Sequence, residues 1–201
     1  MKHSVLTVLL VPLVLTLGIG TAHAGYVPAK QSVLLFPFAI GETITVQQMP
    51  LMEQAAQDLF LIMSEGIDES GKFTVIDFTP RLSSLRRAVQ EQTVTEKELV
   101  APVNTTPDGA DKARKLGQLA GAAFAVIGSV DGYAYDSGTG EADLTVTAQV
   151  IEVSTGKVAT ITAAGNGKRP DDKAEQSEEV TAVKATHDVS MKILSDVSFA
   201  A

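Results

Sequence analysis

The 201-residue chain has no cysteine and no tryptophan, and only three histidines and three tyrosines. Each shortage removes chemistry. Without cysteine there is no thiolate nucleophile, no disulfide and no thiolate metal site. His3 and His23 fall in the first 24 residues, which leaves His187 for the rest. One imidazole does not make a zinc site, and no His-Glu-x-x-His or paired-His pattern occurs, so neither a metal nor any other cofactor is expected. A Ser-His-Asp hydrolase would have to use His187, which sits on the apolar stripe of a C-terminal helix. That position predicts a partly buried ring with one hydrogen-bond partner, a pH-sensitive contact being the alternative. Cationic residues are also scarce, 16 Lys and Arg against 24 Asp and Glu, for a net charge of −8. Such an excess repels phosphate backbones and anionic lipid heads, so nucleic acid is not an expected partner.

What the chain does have begins with a secretory leader. Lys2 supplies a basic start, residues 5–17 are almost wholly apolar, and Ala22, His23 and Ala24 precede Gly25 in the small-x-small form that signal peptidase cuts. Cleavage is expected between Ala24 and Gly25, which places the mature chain in the periplasm or outside the cell. An uncleaved membrane anchor is the competing reading. Pro12, Gly18 and Gly20 weaken it, and no basic cluster follows as a stop. A lipid anchor needs a cysteine after the leader, so no stable membrane tether is expected. Lys2 is the only Lys, Arg, Asp or Glu in the leader, so the remainder carries 15 minus 24, or −9. Residues 25–201 suit a single domain, large enough to bury a core without disulfides.

From residue 25 the pattern is α/β. Residues 32–40 form a continuous apolar run of strand length that Pro37 ends or places at an edge. Leu51, Met52, Ala55, Ala56, Leu59, Ile62 and Met63 recur at helical spacing behind Pro50, predicting a helix that stops near Gly66. Residues 71–78 are a second strand, and a crossover of that length favours parallel pairing. A short helix follows Pro80 through Leu82, Leu85 and Val89. Residues 93–106 lose all periodicity and are expected to be a surface excursion. Thr106 and Pro107 then start a helix that Gly121 ends, and residues 123–130 make another strand. Residues 142–153 and 158–164 alternate around a turn at 154–157, completing a three-stranded antiparallel meander. Leu144, Val146, Ala148 and Val150 take one face, and Asp143, Thr145, Thr147 and Gln149 the other. A closing helix over about 171–197 carries the stripe Val180, Val183, His187, Met191, Leu194 and Val197. The expected fold is therefore a mixed sheet of about five strands with helices packed on it.

Several local patterns touch on chemistry. Asp136-Ser137-Gly138-Thr139 has the form of an aspartic-protease loop, which needs a second Asp to share a proton, and also the form of a glycine-rich strand connection. Ser154 and Lys157 have the serine-lysine spacing of penicillin-recognising enzymes, but a hairpin turn does not supply the helical turn that brings amine to hydroxyl. Gly156-Lys157 is followed by Val158, so it is no phosphate loop. Asn104-Thr105-Thr106 has the form of a glycan acceptor only where the host glycosylates. Tyr133 and Tyr135 alternate along the strand leaving the core and, with Asp131, are expected on one face, either to grip a partner or to cap the sheet with their hydroxyls in water.

Residues 70–77 (SGKFTVID), 113–121 (ARKLGQLAG), 125–130 (AVIGSV) and 150–158 (VIEVSTGKV) come in an order that resembles the curli-assembly (CsgG-like) and TolB amino-terminal-like families. The resemblance spans roughly residues 32–164. It implies an α/β sandwich like an anticodon-binding domain, and an envelope role in secretion, surface assembly or cell-wall regulation. The chain departs from the curli channel in lacking the lipidated cysteine and a spare pair of long alternating apolar segments, so a pore is not expected. The function these features predict is a non-catalytic, soluble envelope protein. It would bind another envelope protein through a sheet edge or the tyrosine-bearing face, with a homo-oligomer compatible. A hydrolase using Asp136, or Ser154 with Lys157, and a small-ligand carrier with a deep apolar pocket are the alternatives.

Overall fold

The computed structural model describes residues 29–168 and 178–196. The leader with its Ala24/Gly25 junction, the expected first turns of the last helix and Val197 lie outside them. A mixed sheet organises the described chain. Strands β1 (Gln31–Leu35), β3 (Phe73–Asp77), β4 (Phe124–Asp136), β5 (Glu141–Glu152) and β6 (Val158–Lys168) lie in the order β3-β1-β4-β5-β6, and a two-residue β2 (Ala39–Ile40) pairs with β4. β1 runs parallel to β3 and β4, while β4, β5 and β6 form an antiparallel meander. Helices α1 (Met49–Glu69) and α4 (Glu178–Asp196) cover one face, α2 (Ser83–Gln90) and α3 (Pro107–Ala120) the other. The α/β class and the meander are as the sequence predicts.

Each face has its own core. Under α1 and α4 lie Val33, Leu35, Leu59, Met63, Val126, Leu144 and Val146; under α2 and α3 lie Leu34, Phe36, Leu85, Leu116, Ile127 and Ile151. The end of β1 is buried on both faces, so its successive residues Val33, Leu34 and Leu35 feed alternate cores, as its unbroken apolar run requires. Phe36 is fully buried and stacks on Phe78 with centroids 4.5 Å apart.

Local chemistry sets the α3 boundaries. The Thr106 side chain accepts from the Gly109 N–H, Pro107 occupies the first turn, and Gly121 closes the helix at φ 73°.

Four expectations need correction. The strand over 32–40 is two strands, because Pro37 lacks an N–H for the ladder and breaks it. α1 does not stop at Gly66 but runs to Glu69, and Gly71 at φ 72° follows the end of the helix. Gly66 instead lets α4 come close, since a Cβ there would stand 2.5 Å from Leu194 Cδ1.

Residues 93–106 are no surface excursion. Val94, Leu99 and Val103 are buried in the α2/α3 core, and residues Glu96–Glu98 form a 3-10 turn. The Thr95 N–H and hydroxyl both donate to Glu98 Oε2 at 2.8 Å, and Lys115 Nζ on α3 meets Oε1 at 2.7 Å. Lys115 first, then Thr95, hold the Glu98 carboxyl down to about 2 from 4.5. The depressed pKa means the unfolded chain binds more protons below about 4.5, so this stabilisation is present above that pH and is lost as pH falls toward about 2. Melting temperature measured across that range should fall less steeply for Glu98→Gln than for the parent chain; identical slopes would deny Glu98 the role.

The face that α4 buries is not the expected stripe. Thr181, Ala182, Ala185, Thr186, Val189, Ser190 and Ile193 are buried, whereas Val180, Val183, His187 and Met191 are exposed. Small residues win because α4 lies almost on the backbone of β6. A Cβ at Gly165 would stand 2.1 Å from Ala185 O, and one at Gly167 2.0 Å from Thr181 O. α4 also sheathes part of the outer edge of β6. Asp188 Oδ2 accepts from the Asn166 N–H at 2.9 Å, while Lys192 and Lys184 donate to the carbonyls of Ala164 and Lys168. Lys192 and then the Asn166 N–H keep the Asp188 carboxyl below the usual carboxylate range. Among the described residues, no α4 side chain bonds β6 over 158–162.

Candidate partner-binding surface

The tyrosine-bearing strand differs from its expected form at one residue. β4 pairs Val130 with Val146 and then Gly132 with Thr145, so Asp131 is the extra residue of a β-bulge. The slip sends Asp131 to one face and the tyrosines to the other. Asp131 Oδ1 accepts from Ser129 Oγ at 2.6 Å, Ser129 Oγ also meets Thr105 Oγ1 at 2.9 Å, and Thr43 Oγ1 donates to the Asp131 carbonyl. Tyr133 and Tyr135, opposite Leu144 and Ala142, pack against the α1/α4 core. The three residues do not form one surface.

Tyr133 is anchored rather than displayed. Gln48 Nε2 at the start of α1 donates to its carbonyl at 3.2 Å. Its Oη is buried without meeting hydrogen-bond geometry, and burial first, then the neighbouring Glu178 carboxylate, raise its pKa above the usual phenol range. Because the hydroxyl is desolvated and its approach to Glu178 falls outside good hydrogen-bond geometry, Tyr133→Phe should be neutral or stabilising by up to about 1 kcal/mol at pH 7. The raised pKa favours the folded state fully below the free-phenol value and loses that preference above it, so the variant should also soften alkaline unfolding above about pH 10. Thermal melts at pH 7 and pH 11 check both; a clear loss of stability at pH 7 would mean the hydroxyl is satisfied.

The carboxylate and the hydroxyl proposed for hydrolysis are occupied by their own turns. The exposed Asp136 carboxylate accepts the N–H groups of Gly138 at 2.8 Å and Thr139 at 3.3 Å, and these hold its pKa below the usual range. A carboxylate so stabilised in its charged form is a poor proton sharer. Ser154 Oγ donates to Glu152 Oε1 at 3.1 Å, and the Lys157 N–H donates to Thr155 Oγ1, inside the exposed β5–β6 turn where Gly156 takes φ 76°. The exposed Asn104 keeps its carbonyl oxygen against the start of α3, where a Cβ at Gly109 would stand 1.9 Å from it, and Thr105 Oγ1 meets Ser129 Oγ on β4. Among the described residues no group of three His, Asp or Glu side chains is placed to hold a metal, and no helix is long and apolar enough to cross a membrane.

The concavities lie elsewhere. A groove of about 530 Å³ opens between α1 and the segment carrying β2, lined by Pro37, Phe38, Ile40, Glu53, Ala56, Gln57, Phe60, Leu61 and Pro102. Phe38 itself lies flat on β4, where a Cβ at Gly128 would come within 2.2 Å of its ring. Leu61 at the rim is 56% exposed. A second, more polar hollow of about 840 Å³ separates the starts of α1 and α4 and includes Gln48, Gln54, Glu178 and Glu179. The sequence names none of these groove residues as a site. Their one signal is a helix whose apolar positions, Phe60 and Leu61, exceed what a single buried stripe needs.

No protein-family model and no curated protein matches the chain, so the resemblance to the curli-assembly and TolB-like families rests on motif order alone. Solved bacterial structures do match. A PelC dodecamer from Paraburkholderia phytofirmans is 16% identical, covering 83% of this chain and 86% of that one, with a TM-score of 0.46. The hypothetical protein CT253 from Chlamydia trachomatis is 16% identical over 84% and 96%, with a TM-score of 0.48. Lipoprotein GNA1162 from Neisseria meningitidis is 13% identical over 81% and 98%, with a TM-score of 0.42. Likeness at this level carries no activity from those proteins to this chain.

Proposed function

We propose that the chain is an exported, non-catalytic protein of the bacterial envelope that binds another envelope protein, acting in the periplasm or outside the cell. The observation that carries this reading is the division of the described surface. Its candidate acid and hydroxyl, Asp136 and Ser154, are tied into exposed turns, Lys157 stands exposed in the same turn as Ser154, and its apolar concavity holds one carboxylate and no second reactive group. A surface of that kind can hold a ligand but has nothing to polarise a scissile bond. The leader motif supports the compartment, and the acidic balance argues against nucleic acid.

The test is reciprocal capture. Tagged mature chain, crosslinked in envelope extract, should retain one defined protein, and that protein, tagged in turn, should retrieve this chain. Recovery at background level in both directions would reject the reading. Hydrolysis of a broad ester, amide and glycoside panel that disappears in both Asp136→Asn and Lys157→Ala would reject its non-catalytic part.

A further inference from the structure

The groove beside α1 coincides with a gap in the sheet. β3 ends at Asp77, and the last link on that side is the Phe78 N–H donating to the Leu35 carbonyl. Beyond it β2 pairs with β4 alone. The register Ala39↔Ser129 and Ile40↔Val130, with the Gly41 N–H donating to the Val130 carbonyl, turns the backbone groups of Ala39 and Gly41 toward β4. Those of Ile40 therefore face outward, into the groove. The gap spans residues 37–40, about 13 Å at strand spacing, enough for about four residues of an added chain. Phe38, Phe60 and Leu61 line it, and its one charged group is the exposed Glu53.

Resting on the envelope-binding reading, we infer that this groove is a strand-addition slot. Its occupant is an extended peptide segment of the partner protein that pairs with the Ile40 backbone, seats an apolar side chain against Phe60 and Leu61, and sets a lysine or arginine opposite Glu53. Backbone pairing supplies register and affinity, and the alternate side chains supply specificity, as in other peptides that extend a sheet edge. The cation is assigned by charge complementarity: a lone carboxylate beside an apolar surface, on a chain with net charge −8, favours a basic segment over an acidic one.

The probes are two capped nonapeptides of alternating threonine and valine with a central leucine, one with lysine and one with glutamate two residues from the leucine. With purified mature protein, the lysine peptide should bind at least tenfold more tightly than the glutamate peptide, and saturation should slow hydrogen exchange of the Ile40 amide at least tenfold. Ile40→Pro removes the outward N–H while the bonds to β4 run through its neighbours, and it should weaken binding at least tenfold, against about twofold for Ile40→Val. Glu53→Lys should reverse the peptide preference. Leu61→Glu, at an exposed position that does not burden folding, should also abolish binding. No binding by either peptide, or undiminished binding by an Ile40→Pro chain of unchanged melting temperature, overturns the slot. If the Ile40→Pro chain still captures the envelope partner as the parent does, the slot fails and envelope binding stands. If the parent binds the lysine peptide but captures nothing from envelope extract, the envelope reading fails instead.

Discussion

Gly165→Val should destabilise the protein by about 3 kcal/mol or more, lowering its melting temperature by about 6–12 °C. The cause is backbone against backbone. A Cβ at 165 would stand 2.1 Å from the Ala185 carbonyl oxygen and 2.7 Å from the Val189 nitrogen, neither of which can rotate aside. α4 would have to lift from β6, and Ala185, Val189 and Ile193 would leave the core that they close with Leu144 and Val146. The outward bonds from Asp188 and Lys192 to the strand would lengthen with them. Gly132→Ala is the control in the same sheet, because a Cβ there meets Thr145 only at 3.7 Å, an ordinary contact. Thermal melts of the two variants should separate clearly, and a Gly165→Val melt within a degree or two of the parent would refute the close packing.

Phe36→Ala should cost about 3–5 kcal/mol, read as a lower urea midpoint with an unchanged slope. Phe36 is fully buried at the end of β1, and its ring stacks on Phe78 across the α2/α3 core. Truncation removes the transfer energy of the ring and leaves a hole flanked by strands that cannot collapse into it. Phe36→Leu fills most of that volume and should cost about 1–2 kcal/mol. A loss below about 1 kcal/mol for the alanine variant would show that the core repacks.

Most of the fold was legible in sequence, and the reason is visible in particular segments. The unbroken apolar run before Pro37, the helical spacing behind Pro50 and the cap at Thr106 each state a local preference that the packing obeys. The last helix shows where that logic stops. Hydropathy picks out Val180, Val183 and Met191, but the buried side is chosen by close approach, since the helix backbone at Thr181, Ala185 and Val189 comes down directly on Gly165 and Gly167. The stretch 93–106 was opaque because Val94, Leu99 and Val103 keep no period, and their placement depends on local bonds from Thr95 and Lys115 to Glu98. The proposed site was the least legible. One extra residue at Asp131 reverses which side of the sheet it faces, and no composition rule marks a bulge. The groove itself depends on a missing neighbour for β2, a fact of topology that no single segment encodes.

The helix laid along β6 also governs how this molecule behaves in company. An outermost strand of 11 residues invites any similar chain to zip onto it, yet here two lysines and an aspartate already occupy the hydrogen-bonding groups along part of its length. Among the described residues, the stretch that α4 side chains leave unbonded is the first five residues of the strand, 158–162. Stripping those three side chains would leave the outward groups of Ala164, Asn166 and Lys168 open to pairing by another strand.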